Sequence, residues 1–250
     1  MGDLALANRQ VITVETPYGT VEPVVGKLGN QELVFLSRHG DDHAIPPHQV
    51  NYRANIWALR ELGVRKIIAT AAAGSLSANF HRGELVLLDQ FIDFTKSRPQ
   101  TFYEDGKQGV LHIDMTEPYC SDVRQVIMDA AAQLGFAIRN SACYVCTEGP
   151  RFETPAEIRM FQSFGADLVG MTGVPEVVLA RELGMCYASI GMVTNEAAGI
   201  ASHPLTHAEV MESMQILGIK VAQLIQKSIE LSTSVQKCRC ASANVELGKF

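Results

Sequence analysis

Short apolar runs alternate with segments of helical periodicity along nearly the whole chain, and this alternation restricts the fold more than any other feature. The apolar runs have the length of strands, whereas the periodic segments place their apolar residues on one helical face. Strands that alternate with helices of this length favour a mostly parallel sheet with helices on both faces. The predicted strands are 11–15, 23–28, 32–37, 66–70, 85–91, 141–146, 168–171 and 186–193. The predicted helices are 50–62, 121–134, one that Thr154 caps and Pro155 begins, 175–183 and 207–231.

The pattern continues without a linker, an internal repeat or a low-complexity segment through 250 residues. That length is sufficient for one large domain with a substantial core. We therefore predict a single α/β domain over 1–250, in which the polar residues from about 233 onward form a peripheral tail.

Composition and charge exclude several classes of protein. The formal net charge of -6 disfavours a nucleic-acid-binding surface, since a phosphate backbone attracts clustered Lys and Arg. No stretch approaches the roughly 20 apolar residues that cross a bilayer, and the first residues lack the layout of a secretion signal. The cysteines are expected to be buried thiols in a reducing, cytoplasmic setting. They are Cys120, Cys143, Cys146, Cys186, Cys238 and Cys240.

Two groups of residues have spacings that resemble metal sites, one further pair could form a disulfide, and neither a metal nor a disulfide is favoured. Cys143 and Cys146 have the C-x-x-C spacing, but they alternate like strand residues and no second pair completes a zinc site. Cys238 and Cys240 are expected to be free thiols rather than a strained disulfide. The second group with such a spacing lies in a polar segment with two prolines and is expected to be a solvated loop; it comprises Asp41, Asp42, His43 and His48.

Polar side chains follow the predicted strands at the points where the strands end, and ligands bind at such positions in parallel sheets. An Arg fork, backbone N–H groups in a turn of small residues and a Thr hydroxyl together suit a phosphate group. Each of these features is weak evidence alone, but they converge on one edge of the predicted sheet. The segments are Arg38-His39-Gly40, Ala71-Ala72-Ala73-Gly74-Ser75, 147–154, Gly170-Met171-Thr172 and Thr194-Asn195-Glu196.

These segments resemble the trimeric purine nucleoside phosphorylase and methylthioadenosine phosphorylase family over nearly the whole chain. The resemblance implies one α/β domain whose twisted, mixed and mostly parallel sheet is flanked by helices. The motifs that carry it are Arg38-His39-Gly40, 50–57 (VNYRANIW), 149–154 (GPRFET), Gly170-Met171-Thr172 and Pro175-Glu176.

The resemblance also implies the roles of individual residues. Inorganic phosphate is a co-substrate, and no metal or other cofactor is expected. The expected phosphate ligands are Arg38, His39, the backbone of Ala72 and the hydroxyl of Thr172. The expected nucleoside-binding residues are Phe152, Glu153, Met171, Asn195, His207, Val210 and, from a neighbouring subunit of a homotrimer, His112. The expected catalytic residues are Asn195, Glu153 and His39.

The pair Glu153 and Asn195 indicates which purine is bound. Adenine-specific members of the family carry Asp at the positions of Asn195 and Ala197. An Asn amide donates to O6 or N7 of a 6-oxopurine, while Glu153 accepts from N1–H and the 2-amino group. We therefore expect phosphorolysis of inosine and guanosine, since a buried site rejects a base that leaves its polar groups unpaired. The alternative role for Asn195 is helix capping.

The 5′ end of the nucleoside is less well defined by the sequence. His207 resembles a His that meets a free 5′-hydroxyl, and its alternative role is that of an ordinary residue in the first turn of a helix. An apolar pocket there would instead favour methylthioinosine or methylthioadenosine as the substrate.

The chain departs from the family pattern at its beginning. The family opens with a strand and a Gly-Gly-Ser/Thr-Gly segment that contacts phosphate, whereas this sequence begins Met1-Gly2-Asp3-Leu4. Ala71 also lacks the hydroxyl found in many relatives. Either the start lies upstream or phosphate is bound with fewer contacts, so a weakly active nucleoside-binding protein and a nucleoside hydrolase remain the rival hypotheses.

Overall fold

The five predicted α-helices occur in the order that the sequence predicts, and among the residues that the structure describes five strands precede the first of them, where three were predicted. The computed structural model describes residues 6–40, 44–104, 109–200, 206–232 and 237–244, with 207–209 described by their backbone alone. The strands are β1 (Ala7–Val11), β2 (Val14–Thr16), β3 (Gly19–Val21), β4 (Val24–Leu28), β5 (Gln31–Phe35), β6 (Lys66–Ser75), β7 (Leu85–Leu87), β8 (Gln90–Phe94), β9 (Cys143–Thr147), β10 (Leu168–Gly170) and β11 (Cys186–Glu196). The helices are α1 (Tyr52–Glu61), α2 (Ser121–Leu134), α3 (Pro155–Ser163), α4 (Glu176–Glu182) and α5 (His207–Leu231).

The main sheet has six strands in the order β7-β11-β6-β10-β9-β8. Its neighbours β11 and β6, β10 and β9, and β8 and β9 are parallel, whereas β7 with β11 and β10 with β6 are antiparallel. The prediction of a mixed, mostly parallel sheet in a single α/β domain is therefore confirmed. A separate antiparallel sheet, β1-β4-β5, and the hairpin of β2 and β3 complete the strands of the described residues.

Strand β11 shows why helices cover both faces of this sheet. Its side chains point alternately to opposite faces, as the strand period of two requires. Ala188 and Ile190 pack in the core with α2 and α5, whereas Tyr187 and Val193 belong to the core on the other face, with α1 and α4. Buried on both faces, the strand is an almost continuous apolar run, which is the pattern that made it recognisable.

Helix ends follow the local signals in the sequence. The Asn51 side chain caps α1 by accepting from the Ala54 N–H at 3.1 Å. Gly135 ends α2 in the left-handed conformation, with φ of 69°. Thr154 and Glu157 form the reciprocal capping box at the start of α3. These ends depend on residues close in sequence, so pattern analysis located them well.

Three predicted elements are wrong in detail. The predicted strand 11–15 spans the end of β1 and the start of β2, and β3 was not predicted. The run of small residues after Thr70 was expected to turn, but it continues β6 as far as Ser75. Tertiary pairing outweighs the local preference here, since 71–75 pair with β11 on one side and 74–75 with β10 on the other. The predicted strand 85–91 is divided into β7 and β8, which pair with different neighbours at opposite edges of the sheet.

The described part of the C-terminal tail, 237–244, returns to the core. Cys240 is 3% exposed and packs in the apolar cluster beneath α2 and α5, and Ala243 is also buried. Among the described residues, no helix is both long and apolar enough to cross a membrane.

Candidate active site

A cavity of about 2040 Å³ opens where β5, β6, β10 and β11 bring their polar residues together. This volume exceeds that of a typical small-molecule pocket, roughly 300–1,000 Å³, because the cavity continues between β5 and the first half of β6. The predicted site residues that line it are Arg38, His39, Ala72, Phe152, Glu153, Met171, Thr172, Asn195 and Val210. His112 is exposed and lies outside this lining, and the side chain of His207 falls outside the described residues.

The antiparallel pairing of β10 with β6 decides how the site is assembled. Val169 pairs with Gly74 near the end of β6, and because the two strands are antiparallel the chain after β10 runs back along β6 toward its middle. The residues that follow β10 therefore meet Ala72 within β6, instead of the predicted turn. The sequence predicted that the strand-end segments meet at one site, and they line one cavity. The backbone at Ala72 differs from the prediction, because it belongs to strand β6 and not to a turn.

Arg38 is held by a buried ion pair with Glu176. Its Nε and Nη2 donate to the two carboxylate oxygens at 2.5 and 2.9 Å, and Nη1 donates to the Thr70 carbonyl at 3.1 Å. The Tyr187 hydroxyl donates to the same carboxylate at 2.8 Å. Burial by itself would raise the pKa of Glu176, but the charge and hydrogen bonds of Arg38 outweigh burial and keep that pKa below its usual value.

Arg38 is thereby fixed in orientation and remains charged at any ordinary pH. Burial alone would lower its pKa, but the opposing Glu176 carboxylate raises it above the usual value. Three of its five N–H donors are used by Glu176 and Thr70, so within the described part of the chain two remain for a ligand. No role for Glu176 was predicted from the sequence, although the Pro175-Glu176 motif marked its position.

The segment after β10 is fixed by Tyr144. The Tyr144 hydroxyl donates to the Thr172 carbonyl at 2.8 Å, and the Thr172 N–H donates to the Tyr144 hydroxyl oxygen at 3.3 Å. A Cβ at Gly170 would collide with the Tyr144 hydroxyl and lie 2.9 Å from the Ala72 carbonyl, so only glycine fits there. The Thr172 hydroxyl lines the cavity and has no partner among the described residues.

His39 is oriented by the loop that follows it. Its Nδ1 lies 2.8 Å from the Ile45 carbonyl oxygen. Because a carbonyl oxygen can only accept, this contact assigns the Nδ1 proton to His39 and leaves Nε2 as the second ring nitrogen for other contacts.

Glu153 is positioned at another wall of the cavity by Thr147, whose hydroxyl donates to its Oε1 at 2.7 Å. Burial raises the pKa of the Glu153 carboxyl above its usual value, and the Thr147 hydrogen bond only partly offsets this rise. Met171 lies next to Gly149, where a Cβ would come within 2.7 Å of the Met171 sulfur. Phe152 remains 40% exposed at the mouth of the cavity.

A β-bulge at Thr194 sets the direction of Asn195. Val193 pairs with Ala73 and Asn195 pairs with Gly74, so Thr194 is the extra residue on β11. The Thr194 hydroxyl donates to Asn195 Oδ1 at 2.8 Å, and Asn195 Nδ2 donates to the Glu196 carbonyl at 2.9 Å. Since that carbonyl can only accept, the orientation of the amide is defined and its NH₂ keeps one free hydrogen.

Arg98 holds two loops of the site together, a role that the sequence does not predict. It is 6% exposed and donates to the carbonyls of Val174 at 2.7 Å and Thr147 at 3.1 Å. These contacts tie the loop after β9 to the loop before α4. Nothing local to Arg98 predicts its burial, because its partners lie about 50 and 76 residues away in sequence.

Comparisons with known proteins agree with this geometry. The family model described as "Phosphorylase superfamily" matches residues 2–230. The 6-oxopurine nucleoside phosphorylase of Pyrococcus furiosus is 51% identical over 247 residues, covering 96% of this chain and 93% of that protein. The probable S-methyl-5′-thioinosine phosphorylase of Methanopyrus kandleri is 49% identical, covering 92% of this chain and 90% of that protein.

Solved structures of phosphorylases have the same fold as this chain. An adenosine/methylthioadenosine phosphorylase from Schistosoma mansoni in complex with adenine superposes with a TM-score of 0.91 at 35% identity, over 97% of this chain and 93% of that chain. A methylthioadenosine phosphorylase from an antarctic soil metagenomic library also has a TM-score of 0.91, at 34% identity over 98% and 87% of the two chains. The chain belongs to the phosphorylase superfamily.

The buried pair yields a prediction about stability. Glu176→Gln removes the charge that compensates Arg38, so we expect the free energy of unfolding to fall by about 3 kcal/mol. Urea denaturation at neutral pH measures this loss. Because the pKa of Glu176 is lowered in the fold, its contribution is present above the ordinary Glu pKa. The difference from wild type should therefore shrink as the pH falls through the folded-state pKa.

Glu230→Gln is the matched control, because Glu230 forms an exposed ion pair with Lys227 at 3.2 Å. Such surface pairs contribute about 0–1 kcal/mol. Equal losses in the two variants would mean that the Arg38–Glu176 pair has no special structural role.

Proposed function

We propose that the protein is a purine nucleoside phosphorylase that cleaves 6-oxopurine nucleosides with inorganic phosphate. This pentosyltransferase converts inosine or guanosine to the free base and ribose 1-phosphate. The observation that carries the proposal is the fixed amide of Asn195, which presents an N–H donor in the cavity that Glu153 also lines. The names of the 6-oxopurine nucleoside phosphorylases that are 51–52% identical support it.

The base is the leaving group, and its charge explains the need for a donor. As the bond from C1′ to N9 lengthens, the ribosyl carbon becomes cationic and the departing purine gains negative charge. Asn195 donates to N7 or O6, and that hydrogen bond strengthens toward the transition state, which is the requirement for catalysis. Glu153 accepts from N1–H and the 2-amino group as a carboxylate, which selects a 6-oxopurine.

The phosphate is held by hydrogen bonds as much as by charge. Glu176 neutralises Arg38, so the two remaining N–H donors of Arg38 act as directed donors to a phosphate oxygen. The Thr172 hydroxyl, the Ala72 backbone and His39 complete the proposed set. The bound phosphate stabilises the cationic ribosyl carbon and then attacks it, a step that requires no metal, nucleotide cofactor or covalent nucleophile.

A second candidate substrate is methylthioinosine. The cavity wall formed by α5 is apolar where Val210, Met211 and Met214 line it, and a 5′-methylthio group would suit such a surface. Relatives named as probable S-methyl-5′-thioinosine phosphorylases, one of them 49% identical, support this possibility. His207, at the start of the same helix, is the proposed partner of a free 5′-hydroxyl.

We further propose a cytoplasmic homotrimer. His112 is exposed and lies outside the lining of its own chain's cavity, which is compatible with a role in a neighbouring subunit. In that arrangement His112 would reach the 5′ end of the nucleoside that is bound to the neighbouring subunit.

The first test is an assay of purified protein for hypoxanthine release from inosine and from methylthioinosine, each with and without phosphate. We expect release that depends on phosphate, with ribose 1-phosphate as the second product. Release without phosphate would identify a hydrolase, and binding without release would identify a nucleoside-binding protein. The ratio of kcat/KM for the two nucleosides decides between the two candidate substrates.

The choice of base is tested by Asn195→Asp. A carboxylate accepts from the 6-amino group of adenosine but repels O6 of inosine, so the inosine-to-adenosine ratio of kcat/KM should fall by about 10-fold or more. An unchanged ratio would remove Asn195 from base selection.

The orientation of Asn195 is tested by Thr194→Val, which removes the hydroxyl that holds Oδ1. We expect kcat and kcat/KM for inosine to fall together by about 5-fold, with the KM for phosphate unchanged, because one hydrogen bond of about 1 kcal/mol that matters in the transition state is lost. Ser189→Ala is the matched control, since Ser189 is equally buried in β11 and its hydroxyl has no partner among the described residues. Equal losses in both variants would contradict the positioning role.

A further inference from the structure

Four cysteines from three distant parts of the chain meet in one cluster. The sulfur atoms of Cys120, Cys186, Cys238 and Cys240 all lie within 4.8 Å of one another. Three of these residues are buried and Cys238 is partly buried. None of the four lines the large cavity, so the proposed phosphorolysis does not account for the cluster.

The backbone around the cluster is fixed by contacts that do not involve sulfur. Cys120 immediately precedes the first residue of α2, and its N–H donates to the Tyr187 carbonyl at 2.8 Å, next to the start of β11. Asp122 accepts from the N–H groups of Lys237 and Cys238 at 2.6 and 2.9 Å. These bonds hold the C-terminal segment against the first turn of α2, so the four thiols are brought together in advance.

Gly184 permits the last part of this approach. A Cβ there would lie 3.3 Å from the Ala241 carbonyl oxygen, and its φ of 68° also favours glycine. The C-terminal segment can therefore pack directly on the backbone that precedes β11, which carries Cys186.

The separations suit a tetrahedral metal ion. Zinc–sulfur bonds of about 2.3 Å in a tetrahedron separate the sulfurs by about 3.8 Å. Cys186 and Cys238 are 3.5 Å apart, and the other pairs lie within the 4.8 Å limit. A disulfide needs a sulfur separation of about 2.05 Å, and all six cysteines are free thiols in the fold.

The surroundings also suit the charge of a tetrathiolate site. Four thiolates and one Zn²⁺ carry two net negative charges, which must be compensated in a buried position. The buried Arg181 donates from Nη1 to the Cys240 sulfur at 3.5 Å. The N-terminus of α2, at Cys120, adds partial positive charge from the helix dipole.

We propose that Cys120, Cys186, Cys238 and Cys240 bind one Zn²⁺ ion that fastens the C-terminal segment to the α2–β11 core. The soft thiolate ligands select zinc over the hard cations Mg²⁺ and Ca²⁺. Binding replaces S–H bonds with Zn–S bonds and releases those protons to solvent, with no transfer of electrons. All four ligand positions come from the protein, so the site is structural and closed to substrate.

The test measures metal in the intact protein, independently of any phosphorolysis. The protein is reduced and loaded with Zn²⁺ alone, and unbound Zn²⁺ is then removed. The number of zinc ions per chain is determined by inductively coupled plasma mass spectrometry. We expect about one zinc per chain in wild type and Cys143→Ser, and loss of at least about 10-fold in Cys240→Ser. Cys143→Ser is the matched control because Cys143 lies outside the cluster.

Loading with Co²⁺ instead of Zn²⁺ tests the ligands without any substitution, so the proposal can fail even if a Cys variant does not fold. We expect the intense visible absorption of a tetrahedral thiolate complex. Reduced, folded wild type that retains neither metal overturns the proposal. The proposal is also overturned if the mass of the untreated protein is lower by four hydrogens, which indicates two disulfides, and if the protein takes up metal only after these disulfides are reduced. The four cysteines would then form two disulfide cross-links instead of a metal site.

Discussion

The buried ion pair of Arg38 and Glu176 is the contact on which the arrangement of the site depends. Arg38 follows the small antiparallel sheet, Glu176 begins α4, and Tyr187 of β11 donates to the same carboxylate. The pair therefore connects the two sheets at the point where the cavity opens. Buried pairs of this kind add little net stability compared with apolar contacts, but they fix geometry because neither charge can be left alone. Here the fixed feature is the direction of the Arg38 fork.

A hydrogen-bond donor is also held in a fixed direction at the end of the cavity where Asn195 lies, which is the proposed site of the purine base. The bulge at Thr194 turns Asn195 toward Gly74, where a Cβ would lie 3.1 Å from the amide nitrogen. Glycine at that position leaves the room that the amide needs, and the Thr194 hydroxyl defines which end of the amide donates. Phosphate and base would thus meet donors whose directions are set before binding, so little reorganisation is required in the proposed reaction.

In the C-terminal segment, too, contacts between distant parts of the chain fix the positions of functional groups, here the thiols. The backbone bonds of Asp122 and the close approach at Gly184 bring Cys238 and Cys240 to Cys120 and Cys186. A segment that the sequence suggested was peripheral carries the buried Cys240. The proposed zinc site would give this segment a specific role in holding the fold closed.

The sequence by itself determined the fold class and most element boundaries, because hydrophobic period, caps such as Thr154 and stops such as Gly135 act within a few residues. The family followed from the resemblance of its motifs to those of known phosphorylases. It also indicated which strand-end residues would meet, since eight of them line one cavity. Their individual roles remain predictions.

Only the tertiary structure decided the rest. It extended β6 through a run of small residues that resembles a turn, because the strand gains partners on both sides. It paired Arg38 with Glu176 across 138 residues of sequence and gathered four cysteines from three segments. Such contacts are selected by the packing of the whole chain, and no local pattern of side chains specifies them in advance.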